Sequence, residues 1–279
     1  MVADGSVRAR RAALPAPLAP VAVLLGVLAM RAGFGALTGL GLGLRPTLVL
    51  CELLLVLPGL ALVALVRAPL RRALALLPLP GRAVFLSLAA GLTLWGASLG
   101  LFSLQYVVWP PPDGYLEAFR QLHDALRPKG PADAFLSITA IALVPAICEE
   151  ALFRGVVFGS LTAVVGAAGS TFLQALLFAL IHIDLTAGGP PVAYRVPFAF
   201  AVGLALGALR LRTGSLAAPA LSHALLNAVT FLVVLFAADP ARETDPGPVV
   251  GLSLLVAGTA ATLLLLRALP GAAVTPPTA

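Results

Sequence analysis

Apolar runs of about twenty residues recur along this chain, separated by short segments that carry most of its charge. A membrane-spanning helix needs about 20 mostly apolar residues. Eight segments qualify: 16–38, 47–66, 83–108, 134–158, 164–183, 193–210, 214–237 and 247–267. The pattern predicts an all-α, polytopic membrane protein with about eight transmembrane helices. Arg31 interrupts the first run, so either its side chain snorkels to the interface or the helix ends there. Residues 109–133 form the one substantial hydrophilic segment. Within it, Tyr115, Leu116, Phe119, Leu122 and Leu126 recur at helical spacing, opposite Glu117, Arg120, Asp124 and Arg127. A short amphipathic helix lying on the membrane follows, read as an interfacial connector rather than a substrate gate. His123, in the same segment, is expected to be solvated.

Composition agrees. Of 279 residues, 60% are hydrophobic and 11% charged, where soluble domains carry about 25% charge. This excludes a soluble core, and the length leaves room for one membrane domain. We divide it into N-terminal helices with the interfacial segment (1–133), a central core (134–237), and a last helix with a Pro-rich tail expected to be disordered (238–279). The net charge is +6, but no basic patch is interleaved with aromatics, so nucleic acid is not an expected partner. Cys51 and Cys148 lie in apolar segments and read as core residues.

Charge placement gives an orientation. With the N-terminus inside, the cytoplasmic segments hold Arg8, Arg10, Arg11, Arg67, Arg71, Arg72, Arg82, Arg210, Arg212 and Arg267 against one acid, Asp4. The opposite side holds six basic residues and eight acids. Both termini are therefore expected in the cytoplasm. The N-terminal arginines also suit a signal peptide, but the apolar sequence continues to Leu44, which favours an uncleaved first span. The Ala/Leu/Arg-rich composition suggests a bacterial plasma membrane.

Against this background Glu149, Glu150 and Arg154 stand out. No charge occurs in residues 134–148 or 155–181. A charge at membrane depth costs roughly 2.5–3.5 kcal/mol on insertion scales, so three in six residues imply a function. Glu150 and Arg154 are four apart, share a helical face and can pair. Glu149 is turned about 100° from Glu150, which leaves it free for proton transfer as a general base. Phe178 and His182 share a face, as do His223 and Asn227. A histidine and an amide one turn apart can both point at a developing oxyanion. Gln174 is a weaker supporting candidate. Asp184 reads as the end of a span, and Glu52 as an interfacial residue near a helix end.

Two chemistries fit this set. Glu149 and His182 can hold and deprotonate a water without a metal. Alternatively, Glu149, His182 and His223 make a three-ligand zinc site with an open position for water. The sequence leaves the cofactor open between zinc and none.

The Glu149-Glu150-x-x-x-Arg154, Phe178-x-x-x-His182 and His223-x-x-x-Asn227 motifs resemble the three signatures of the CAAX protease and bacteriocin-processing (CPBP, or Abi) family of intramembrane endopeptidases. Phe153-Arg154-Gly155 and Gly214-Ser215-Leu216 with Pro219 extend the resemblance, which covers roughly 134–237. It implies an all-helical enzyme that cleaves membrane-associated, CAAX-like or lipidated peptides and proteins. Glu149 with His182 would activate water, His223 and Asn227 would steady the oxyanion, and Glu150 with Arg154 would support them. The competing readings are a non-catalytic scaffold or bacteriocin-immunity protein using the same cavity, and a transporter. A transporter calls for related halves with broken helices, and no such repeat is visible.

One tension follows from the span positions. In straight helices Glu149 lies about 24 Å from the outer side, at 1.5 Å per residue, whereas His182 lies almost at that side. A break is needed for them to meet, and Pro145, Gly155, Gly159, Gly166 and Gly169 are the residues that permit one.

Overall fold

The computed structural model describes residues 13–183, 193–236 and 246–271. The first three arginines, Asp184 and the tail beyond Gly271 lie outside the described residues. Helices α1 (Leu18–Gly39), α2 (Leu44–Leu65) and α3 (Gly81–Val108) are followed by α4 (Tyr115–Ala125), the expected amphipathic helix. A helical run, Pro131–Leu180, comes next. It is followed by α7 (Val196–Thr213), α8 (Ala217–Phe236) and α9 (Pro248–Ala268). Among the described residues, seven helical runs are long and apolar enough to cross a membrane, α4 not among them. This is the architecture of a polytopic, integral membrane protein.

The count of seven differs from eight because two expected spans, 134–158 and 164–183, belong to one 50-residue run. At 1.5 Å per residue a straight run of that length would reach about 75 Å, more than twice a bilayer core. The run is not straight. Gly166 has φ 69° and ψ 179°, far from helical, in a region of backbone space that is essentially glycine-only. The chain folds back there into two arms, α5 (residues 131–165) and α6 (residues 167–180). Arg154 on α5 and Gln174 on α6 both donate to the Gly203 carbonyl, at 3.1 and 2.9 Å. The Phe153 and Phe178 rings meet edge to face at 5.2 Å. Neither contact is possible on a straight helix.

Arm α5 is itself irregular. It contains π-helical turns at Thr139–Leu143 and Ala151–Val157 on either side of Val144–Glu150. Pro145 has no N–H to give to the preceding turn, and the wide turn just before it accommodates that loss. π-Turns are rare and concentrate at functional sites.

Tertiary contacts place the connecting segments at two opposite ends. At one end, Leu216 N–H donates to the Ala75 carbonyl at 3.1 Å and Ser215 Oγ to Leu77 at 2.7 Å. Arg212 holds the carbonyls of Leu266, Arg267 and Leu269 at the same end. Arg67, Arg71, Arg72, Arg210, Arg212 and Arg267 thus share one side of the molecule. At the other end, Arg45 reaches Ser137 and Leu126, and Arg127 reaches Leu235. The interior is closed by small residues: a side chain at Gly91 would meet the Ser222 backbone, and one at Gly203 would meet Ala175. Cys51 and Cys148 are buried free thiols, as expected of core residues.

Arg31 neither snorkels nor ends its helix. Helix α1 continues through it to Gly39, and its guanidinium donates to the Ile183 carbonyl at 2.9 Å. That bond satisfies a carbonyl just beyond α6, next to His182.

Candidate active site

The fold-back at Gly166 resolves the tension between Glu149 and His182. They stand seventeen residues before and sixteen residues after the turn, so their heights on the two arms match. The expected boundary at 158 was too early, because α5 continues to Gly166 through an apolar stretch that holds no charge to mark its end. Glu149, His182, His223 and Asn227 line one cavity of about 410 Å³.

Glu150 and Arg154 are both fully buried and form an ion pair at 2.7 Å. A second arm of the guanidinium donates to the Gly203 carbonyl, and its central carbon, Cζ, lies 4.6 Å from the centre of the Phe178 ring. Gln174 donates to the same Gly203 carbonyl at 2.9 Å. Arg210 donates to the Arg154 carbonyl at 3.2 Å. A buried pair is tolerable only when its remaining polar atoms are satisfied; these bonds meet part of that need and leave Glu150 Oε2 and Arg154 Nε buried without a partner.

Glu150 Oε1 also receives His223 Nδ1 at 2.8 Å. With Nδ1–H donated to a carboxylate, the other nitrogen, Nε2, is directed to Glu149 Oε2 at 3.7 Å. His223 is therefore bridged between the two glutamates. His182 Nδ1 lies 2.8 Å from the Phe178 carbonyl. A carbonyl only accepts, so Nδ1 carries the proton and Nε2 keeps a lone pair. The Phe178 ring sits 4.7 Å from His182 and 5.9 Å from His223, separating the two imidazoles. Asn227 follows His223 by one turn and is half-buried on the cavity wall.

Zinc requires its ligands at about 2.0–2.2 Å from one point. Among the described residues, no three His, Cys, Asp or Glu side chains come together in a way that could hold a metal ion. Glu149, His182 and His223 thus share a cavity without forming a ready three-ligand site.

Three expectations are overturned at this cavity. His123 is 5% exposed rather than solvated. Its ring packs 4.1 Å from Phe119 and 6.3 Å from Phe231, and burial pushes its pKa down. The apolar face of α4, with Tyr115, Leu116, Phe119 and Leu122, forms part of the cavity wall rather than only a connector. Glu52 is not interfacial either: it lines the cavity. Its position in the middle of α2 was the missed signal, because Arg45 and Arg67 mark the ends of that apolar run.

Residues 131–229 match the family model of Rce1-like, Type II CAAX prenyl endopeptidases. This bears out the resemblance read from the motifs. The Rce1-like stretch runs from the start of α5 to two residues past Asn227, so all six motif residues fall inside it. Glu52 and the whole of α4 fall outside it. At the level of the family, the match supports a membrane endopeptidase acting on a membrane-associated protein. No curated protein and no solved structure matches the chain.

Proposed function

We propose that this protein is an intramembrane endopeptidase that hydrolyses peptide bonds of membrane-associated peptides or proteins, lipidated CAAX-like chains among them, without a metal. The observation that carries the reading is the fold-back at Gly166, which sets Glu149 and His182 level in one cavity with His223 and Asn227. Arg45, Arg120, Arg127, Lys129 and Arg195 lie toward the cavity mouth, and the more basic opposite end faces the cytoplasm, so both termini are cytoplasmic.

The chemistry uses the chain's own groups. A water in the cavity gives a hydrogen bond to the bare Nε2 of His182 and a proton to the Glu149 carboxylate. Its oxygen attacks the scissile carbonyl carbon. The developing oxyanion is met by the Asn227 amide. His223, with Nδ1–H held by Glu150, adds a second donor when its Nε2 is also protonated. Glu149 then passes its proton to the leaving nitrogen as the C–N bond breaks, giving a carboxyl and an amine. Glu150 and Arg154 touch no reacting atom in this scheme. They hold His223 and Phe178 in place. Donors fixed before the reaction need no reorganisation at the transition state, which is the main source of such stabilisation.

Cleavage of membrane-anchored peptides by the purified protein, compared with a Glu149→Gln variant that inserts normally, tests the reading. A variant that cleaves as fast as wild type contradicts it.

A further inference from the structure

Glu52 is the acidic residue of the cavity that the proposed reaction does not use. Two ties fix its position. Arg45 Nε donates to Ser137 at 2.8 Å, and a side chain at Gly59 would meet Leu152 first. Both ties relate α2 to α5 by nearly the same sequence offset, so the two helices run parallel in constant register. Seven residues before Gly59 and seven after Arg45, Glu52 therefore lies beside Pro145. That is about one helical turn, roughly 5–6 Å, nearer the mouth than Glu149. Pro145 and Glu149 line the same cavity wall.

The carboxyl has no structural task. Its Oε2 is buried without a hydrogen-bond partner, and among the described residues no basic side chain pairs with it. Ionisable groups inside a membrane normally pair with one another or serve a ligand. The contrast with its neighbours is sharp: Glu150 is neutralised by Arg154, whereas Glu52 and Glu149 face the cavity with no arginine or lysine bonded to either. The nearest cavity-lining cation, Arg195, is exposed at the rim.

We infer that Glu52 is a specificity-determining residue, which receives a lysine or arginine side chain of the substrate close to the scissile bond. A cationic side chain supplies the N–H donors that the carboxyl lacks, and its stem packs on Leu48 and Ile141, which line the same cavity. A site built around a buried polar group rejects an analogue that leaves the group unpaired more strongly than an apolar pocket rejects a wrong shape. The inference rests on the endopeptidase reading for the substrate's class, but its binding arm can be read without turnover.

The test uses two membrane-anchored peptides in phosphatidylcholine vesicles, identical except for lysine or methionine at one position beside the cleavage site, scanned along the peptide. Affinity is measured on the full-length Glu149→Gln protein, and cleavage on the wild type. The lysine peptide is expected to bind about tenfold tighter or better, the size of one charge-assisted hydrogen bond. Adding Glu52→Gln should level the two peptides, and Glu52→Lys should turn the preference toward a glutamate peptide. Glu52→Gln carries the test alone if Glu52→Lys does not fold. Equal affinity for both peptides at every position, or a preference that survives Glu52→Gln, overturns the inference. A lysine preference in binding with no wild-type cleavage supports Glu52 and sinks the peptidase reading instead.

Discussion

The Arg154 guanidinium lies 4.6 Å from the centre of the Phe178 ring, and the two residues stand twelve positions either side of Gly166. That symmetry is the organising fact of the site. The first arm carries the acids, the second carries Phe178 and His182, and the turn decides what faces what.

Gly166 is therefore the residue on which the hairpin depends. Its backbone, at φ 69° and ψ 179°, strains any residue with a Cβ by about 1–3 kcal/mol. No other atom lies within reach of the added methyl, so Gly166→Ala isolates this strain from packing. The variant should unfold at a lower temperature in detergent and lose peptidase activity together with that stability. A Gly166→Ala protein with unchanged Tm would mean that the turn is not formed as described.

Arg154→Ala should be among the most damaging substitutions. It leaves Glu150 buried with its charge uncompensated, which costs about 3–5 kcal/mol when one member of a buried pair is removed. Thermal unfolding in detergent measures it. Double replacement, Glu150→Leu with Arg154→Met, should recover much of the stability but not the activity, because His223 loses the carboxylate that orients it.

Much of this was legible in the sequence. The helices announced themselves by length, and charges at membrane depth marked Glu149, Glu150 and Arg154. What was not legible has physical causes. The end of α5 was misplaced because nothing charged separates Phe158 from Gly166, and four nearby glycines compete for the break. His123 looked solvated because its helix is amphipathic, yet the face it shares with Phe119 closes on Phe231. Glu52 looked interfacial because the expected span began at residue 47, whereas α2 begins at Leu44. The packing of α2 against α5 then turns it to the cavity.

Asn227→Ala removes one oxyanion donor and leaves the buried network of Glu150, Arg154 and His223 intact. The expected loss is about 10²–10³ in kcat with little change in KM. Steady-state kinetics on one peptide substrate separates the two. A rise in KM alone would assign Asn227 to substrate binding.

Chelation separates the two hydrolytic chemistries. The metal-free route predicts that cleavage persists after prolonged exposure to EDTA or phenanthroline. Activity lost to chelator and restored by added zinc would show that substrate or membrane draws Glu149, His182 and His223 together around an ion.

The most direct measurement is the cleavage of a membrane-anchored peptide library by purified wild type and by Glu149→Gln, with folding of both verified by thermal unfolding. The account predicts cleavage by wild type and a loss of about 10² or more in the variant, the scale of removing a general base. Equal activity in both proteins would contradict it. So would two inert proteins when the variant still supplies the cellular phenotype, which would make the buried charges structural and the protein a scaffold.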